Sequence, residues 1–65
     1  MRIILKSKST EKRLGDCISD HLLTVEEALR LCGYKRFEGV RMDAPDYIHE
    51  DDKTEIWLDD VVMEH

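Results

Sequence analysis

The chain has 65 residues, of which 42% are hydrophobic and 38% charged, and its formal net charge is −5. A chain of this length buries only about 60% of the surface that its unfolded form exposes, so we predict one domain over residues 1–65 without room for a deep catalytic pocket. No apolar run is long enough to cross a bilayer or to form a signal peptide, which predicts a cytoplasmic protein without a membrane partner.

The chain begins with a predicted strand. Within Arg2–Lys8 the apolar residues are β-prone, and the basic side chains fall on one alternating face. The polar segment 9–15 ends in glycine and predicts a loop. Segment 17–23 fits either a short strand or an irregular approach to the next element.

The clearest predicted element is a short helix after Thr24. Thr24 and Glu27 have the spacing of a capping box, in which each side chain accepts a hydrogen bond from the other residue's backbone N–H. Apolar residues at helical spacing from Val25 to Cys32 form one stripe, and Gly33 is suited to end the helix.

The second half of the chain predicts strands around an acidic hairpin. Segment 37–42 is β-prone, and a proline interrupts the chain soon after it. Tyr47–His49 and Thr54–Leu58 predict two hairpin strands joined by a polar turn over 50–53, with Val61–Met63 as an extension. The elements together predict an α+β domain with one amphipathic helix packed on a three- or four-stranded antiparallel sheet.

Acidic residues are concentrated near the end of the sequence. Residues 42–65 carry a net charge of −8, whereas residues 1–13 carry +4. Crowded carboxylates repel one another and destabilise the fold unless a positively charged partner offsets the repulsion. Alternate strand residues lie about 6.6 Å apart, close to a two-step phosphate spacing of about 6.8 Å along one DNA strand, so such carboxylates can mimic DNA.

We therefore predict an acidic surface that binds a basic protein, with two aromatic side chains as anchors. The predicted contact residues are Asp43, Asp46, Tyr47, Glu50, Asp51, Asp52, Glu55, Trp57, Asp59 and Asp60. The competing interpretations are a solvated face that only aids solubility and, for Trp57, a ring that covers the core. The sequence does not indicate the oligomeric state.

Basic residues leave an alternative function open. Arg2, Lys6, Lys8, Lys35 and Arg36 fit contacts to a phosphate backbone in a small regulatory or nucleic-acid-binding module. A net charge of −5 opposes attraction to nucleic acid, so a basic protein is the preferred partner. The same basic groups also fit a simpler interpretation, in which they neutralise the acidic hairpin.

Two cysteines are candidates for chemistry, and we predict none for them. Small secreted domains usually carry more than one bridge, so Cys17 and Cys32 are interpreted as reduced thiols, with a single disulfide left as the alternative. Cys17 and His21 lack a second close ligand pair for a metal, and we predict no metal and no cofactor. They also lack a third orienting group, so we predict no catalytic residue and no enzyme.

The whole layout resembles a known class of proteins. A strand with the sequence MRIILKSKS is followed by the capped helix TVEEALRLCG and the acidic hairpin YIHEDDKTEIWLDD. This arrangement resembles the small anti-CRISPR proteins of phages and mobile elements, in particular inhibitors of type I effector complexes. The resemblance implies a stoichiometric inhibitor that occupies a basic, DNA-binding channel of an effector subunit in the host cytoplasm. The resemblance is one of size, layout and charge, so it assigns no functional role to any individual residue.

Overall fold

A computed structural model describes residues 1–64 and contains one helix and six strands. The elements are β1 (Arg2–Ser7), β2 (Arg13–Ile18), α1 (Val25–Leu31), β3 (Tyr34–Arg36), β4 (Tyr47–His49), β5 (Glu55–Ile56), a 3-10 turn (Leu58–Asp60) and β6 (Val61–Glu64). The strands form two three-stranded antiparallel sheets, ordered β2–β1–β6 and β3–β4–β5. The α+β class is confirmed, and the strands divide between two small sheets where we expected one.

Strand β1 is the centre of the first sheet. It pairs on one side with β2, where Ile3 lies opposite Cys17, and on the other with β6, where Leu5 lies opposite Met63. Ile3 and Leu5 are fully buried, as the alternation of the sequence predicts for a strand with one core face. Val61–Met63, which we expected to extend the hairpin, is therefore part of a separate strand, β6, that pairs with β1.

Strand β2 begins inside the segment that we predicted as a loop. The chain turns back at Glu11, whose φ is 60°, and the Ser7 N–H donates to the Lys12 carbonyl at 2.8 Å. Pairing then starts at Arg13. The loop predicted over 9–15 is therefore wrong for residues 13–15, which belong to β2. The sequence of β2 has one strongly β-prone residue, Ile18, and its conformation is set by hydrogen bonds to β1.

The helix is capped as predicted. The Thr24 hydroxyl accepts from the Glu27 N–H at 3.2 Å, and the Glu27 carboxylate accepts from the Thr24 N–H at 2.9 Å. The backbone hydrogen bond from Thr24 is the main cause that lowers the pKa of Glu27 below its ordinary value. Gly33 follows the helix with a φ of 96°, a left-handed conformation that favours glycine. Ala28 and Leu29 are buried and form the side of the helix that packs against the core.

The strand predicted over 37–42 is wrong. Strand β3 lies just before it, and its pairing with β4 ends where the Phe37 N–H donates to the Asp46 carbonyl at 3.0 Å. The chain then leaves the sheet, and Val40 and Met42 are fully exposed. Local β propensity does not produce a strand here because segment 38–42 has no neighbouring strand to pair with.

The hairpin between β4 and β5 is confirmed, with a shorter second strand. Tyr47 lies opposite Ile56, and Ile48 lies opposite Glu55. The predicted strand to Leu58 instead ends at Ile56, because the Leu58 N–H donates to the Asp46 carboxylate at 2.8 Å and the chain enters the 3-10 turn.

One core joins the two sheets. Its buried residues are Ile3, Leu5, Leu23, Ala28, Leu29, Tyr34, Tyr47 and Ile56. The sheets also meet at the outer edge of β2, where the Tyr34 hydroxyl donates to the Leu14 carbonyl at 2.8 Å. Nearby, the Cys32 thiol donates to the Asp16 carbonyl at 3.5 Å. Part of the β2 edge is thereby covered by side chains from the end of α1 and the start of β3.

Candidate functional site

The strongest candidate for a functional site is the turn at the tip of the β4–β5 hairpin. We call residues Glu50–Lys53 the acidic turn. Its backbone is closed by hydrogen bonds from the His49 N–H to the Thr54 carbonyl at 2.9 Å and from the Lys53 N–H to the His49 carbonyl at 3.1 Å. Lys53 completes the turn with a φ of 61°. The geometry is therefore defined by backbone hydrogen bonds before any partner is present.

His49 fastens the acidic turn to the body of the domain. Its Nε2 donates to the Cys32 carbonyl at 3.1 Å, which fixes the proton on that nitrogen because a carbonyl only accepts. Its Nδ1 accepts from the backbone N–H groups of Asp51 at 3.1 Å and Asp52 at 3.5 Å. The ring also packs edge-to-face on Tyr34, with centroids 4.7 Å apart. The turn is thus held against the end of α1.

The acidic turn presents three exposed carboxylates, two of which have no partner. Within residues 1–64, no side chain or backbone group pairs with the carboxylate of Glu50 or Asp51. The Asp52 carboxylate accepts from the Thr54 N–H at 3.0 Å, and this bond is the main cause that lowers its pKa below the ordinary value. The Lys53 ammonium donates to the Glu50 carbonyl at 3.2 Å, which places one basic group beside the three carboxylates. The turn therefore combines a fixed backbone with an excess of negative charge.

Three other predicted acidic residues are engaged within the protein. Asp46 caps the start of the 3-10 turn through its bond to Leu58. Glu55 binds the Arg41 guanidinium through both carboxylate oxygens, at 2.7 and 3.2 Å, and Asp43 lies 3.3 Å from the same guanidinium. Their charges are partly or wholly compensated, so they contribute less to an external field than the sequence predicts.

Asp60 also has a structural role. Its carboxylate accepts from the Ser7 hydroxyl at 2.7 Å and from the Ser9 N–H at 2.9 Å. These hydrogen bonds hold the pKa of Asp60 below its ordinary value, so the ionised form fastens the 3-10 turn to the β1–β2 loop. Its neighbour Asp59 is exposed, and its carboxylate has no partner within the described part of the chain.

The two predicted aromatic anchors differ. Tyr47 is only 5% exposed, and its hydroxyl donates to the Glu26 carboxylate at 3.0 Å. Its ring is a core side chain, and the expectation that it anchors a partner is corrected accordingly. Trp57 is 39% exposed and lies directly after β5, so it remains accessible to a partner.

The predicted residues do not form one regular row of charges. The acidic turn follows β4 whereas Asp46 precedes it, so these groups lie at opposite ends of the hairpin. Strand β5 has two residues, and Asp59 lies in the 3-10 turn, so the alternating ladder that would repeat a phosphate spacing is not formed. The structure brings together Glu50, Asp51 and Asp52, while Asp59 and Trp57 lie beyond the other end of β5.

Four of the five predicted basic residues are divided between the two sheets, and the fifth, Lys8, is exposed in the turn after β1. On the first sheet, Arg2 lies 2.9 Å from the Asp16 carboxylate and Lys6 lies 3.0 Å from that of Glu64. Lys35 and Arg36 are exposed on β3 in the second sheet. Two of the five are therefore compensated, and the set does not share one strand pair along which a phosphate backbone could run.

Among residues 1–64, no three histidine, cysteine or acidic side chains lie close enough to hold a metal ion. The helix in this part of the chain has seven residues, too few to cross a bilayer. A surface groove of about 420 Å³ beside β3 is lined by Lys35, Phe37 and Ile48, among others.

Comparison with known proteins returns no match: no family model, no curated protein and no solved structure is similar to this chain.

Sequence reasoning found the acidic turn and missed the residue that holds it. His49 sits at the end of a predicted strand, and its spacing to Asp51 and Asp52 has no recognised pattern in the sequence. Its bond to the Cys32 carbonyl joins residues 17 positions apart and is visible only after folding. The one available signal was a histidine next to a run of acids.

Proposed function

We propose that the protein is a non-enzymatic binding protein whose acidic turn contacts a basic surface on another protein. The partner is a protein that handles nucleic acid, and binding blocks the site where that protein holds its nucleic acid. The observation that carries the proposal is the fixed backbone of the acidic turn together with the unpaired carboxylates of Glu50 and Asp51.

A fixed turn favours binding because little ordering remains to be done. The hydrogen bonds of His49 to Asp51 and Asp52 restrict the turn before a partner arrives. Association normally loses free energy when loops and side chains are immobilised, and a pre-formed contact reduces that loss. This distinguishes the acidic turn from a mobile acidic loop that would serve solubility alone.

The unpaired charges act mainly on the rate and specificity of association. Carboxylates at the tip of a hairpin create a negative potential that steers a basic surface towards them, and salt screens this attraction. Exposed Trp57, beyond the other end of β5, supplies apolar contact area for a partner that extends past the turn, as aromatic side chains commonly do in interfaces. Asp59, exposed and unpaired within residues 1–64, adds to the charge.

The resemblance to anti-CRISPR proteins gives a specific partner to test. We propose a subunit of a type I effector complex as the first candidate, because its DNA-binding channel is basic. The purified complex would be mixed with the protein, and target DNA binding would then be measured. Inhibition at a one-to-one ratio with the bound subunit supports the assignment. Unchanged DNA binding removes this partner without removing the acidic-surface mechanism.

A capture experiment tests the mechanism without assuming the partner. The immobilised protein would be used to capture proteins from the host lysate, and the affinity of the recovered basic partner would be measured. The double variant Glu50→Lys/Asp51→Lys is expected to lose binding, whereas Glu38→Lys reverses an exposed charge outside the acidic turn and serves as the control. Equal binding by the double variant and the control would reject the proposal.

The nucleic-acid-binding alternative is weaker because Arg2 and Lys6 already pair with carboxylates of the same sheet. A gel shift with generic duplex DNA at low salt distinguishes the two functions. No shift is expected, and a shift that is lost in Lys35→Glu/Arg36→Glu would favour the alternative.

A further inference from the structure

Cys17 and Cys32 meet where the end of α1 covers β2. Cys32 is the C-cap of the helix, and its Sγ lies 3.5 Å from the Asp16 carbonyl oxygen. A Cβ placed on Gly15 would lie 3.1 Å from both the Cβ and the Sγ of Cys32. Gly15 and Cys17 are alternate residues of β2 and share one face, so the Cys32 sulfur, beside Gly15 and Asp16, lies on the face of the strand that carries Cys17.

Both thiols are free and pack against the core from this same side. Burial raises the pKa of Cys32 to about 11, and the neighbouring Cys17 thiol contributes to the same shift. In the reduced protein Cys32 is therefore a neutral thiol at neutral pH, able to donate its hydrogen to the Asp16 carbonyl.

We propose that Cys17 and Cys32 are a redox modification site, which forms a reversible intramolecular disulfide with a small disulfide oxidant such as oxidised glutathione. Cys17 attacks the oxidant first, forming a mixed disulfide and releasing one glutathione thiolate. Cys32 then loses its proton to solvent and attacks the Cys17 sulfur, which releases the second glutathione. The two protein thiols lose two electrons and two protons, and one oxidised glutathione becomes two reduced molecules.

The bond would connect two parts of the fold that now touch without a covalent link. It joins β2, an edge strand of the first sheet, to the end of α1 and closes the chain between residues 17 and 32. Closing a loop of this length restricts the unfolded chain, so oxidation is expected to raise Tm by about 10 °C. Cys32 also holds the acidic turn, because its carbonyl accepts from His49. The proposal is nevertheless independent of what the acidic turn binds.

The test uses the full chain equilibrated with mixtures of reduced and oxidised glutathione. Mass spectrometry is expected to show a loss of about 2 Da, and peptide mapping to link Cys17 to Cys32, with reversal by excess reduced glutathione. Cys17→Ser and Cys32→Ser each leave one thiol and are expected to give only a glutathione adduct. Wild-type protein that stays reduced, carries only glutathione adducts, or forms only intermolecular dimers would overturn the proposal.

Discussion

The two sheets of this small domain are built differently. In the first, β1 is paired on both sides, contains two fully buried residues, and has its surface charges matched by Asp16 and Glu64. In the second, the three strands have three, three and two residues, and the turn at their tip carries unpaired carboxylates. Both sheets supply buried residues to the core, and the second also presents the unpaired charge that we propose for binding.

The largest expected effect is the loss of stability when a fully buried side chain is truncated. Leu5→Ala removes a fully buried side chain from β1 and is expected to cost about 2–5 kcal/mol, enough to unfold much of a domain of this size. Ile48→Ala on β4 is the matched variant, and a smaller loss is expected because Ile48 is only half-buried. Urea denaturation gives both free energies of unfolding. Equal losses would contradict the assignment of Leu5 to the core and of Ile48 to its margin.

The second prediction concerns the link between the acidic turn and α1. His49→Ala removes the bond to the Cys32 carbonyl and the acceptor for two turn N–H groups, at an expected cost of about 1–3 kcal/mol. Hydrogen exchange should accelerate at Asp51 and Asp52 while the amides of β1 stay protected. Faster exchange at β1 to the same degree would mean that His49 supports the whole fold.

The third prediction uses acid pH. Hydrogen bonds from Ser7 and Ser9 lower the pKa of Asp60 in the folded state, so its contribution to stability is present above its unfolded pKa of about 3.9 and is lost as the pH falls through the lower folded value. Asp60→Asn is expected to unfold more easily at pH 7 and to lose less stability than wild type on acidification. Thermal melts from pH 7 to pH 2 measure this, and parallel curves would contradict it.

The smallest predicted effect is a slower alkylation of Cys32 at the junction between the sheets. It is measured on the wild-type protein and does not depend on a change in stability. Because burial raises the pKa of Cys32 to about 11, the Cys32 thiol is ionised in only a small fraction of molecules at pH 8. Cys32 should alkylate at least about tenfold more slowly in the folded protein than in urea, since the thiolate is the reactive form. Equal rates in both states, followed by mass spectrometry of the labelled peptides, would show that the helix end leaves β2 readily.

Local patterns predicted the local elements. The capping box of Thr24 and Glu27 and the left-handed Gly33 depend on neighbouring residues and are confirmed. The turn at 50–53 and the buried face of β1 follow from the same kind of signal, and both are confirmed.

Pairing between distant segments was not predictable in the same way. Strand β6 returns to β1 across more than 50 residues, and β2 forms from a sequence with little β propensity because β1 offers it hydrogen bonds. Segment 37–42 has the propensity and lacks a partner, so it forms no strand. Strand propensity therefore gave wrong predictions where strand formation depended on a distant segment with which to pair.

The candidate site was predicted in part for the same reason. The sequence identified the carboxylates of Glu50, Asp51 and Asp52 as a group, since they are adjacent in the chain. It did not indicate that Glu55 pairs with Arg41, 14 residues away, or that the ring of Tyr47 is buried. Compensation of charge is a tertiary property, and composition alone overstates the charge that remains free.

The most direct measurement compares wild type with Glu50→Gln/Asp51→Asn for both stability and binding of the captured basic partner. Removing unpaired, mutually repelling charges is expected to leave the free energy of unfolding unchanged or slightly higher. Binding is expected to weaken about tenfold and to become less sensitive to salt. Unchanged affinity and salt dependence in a stably folded double variant would contradict the account.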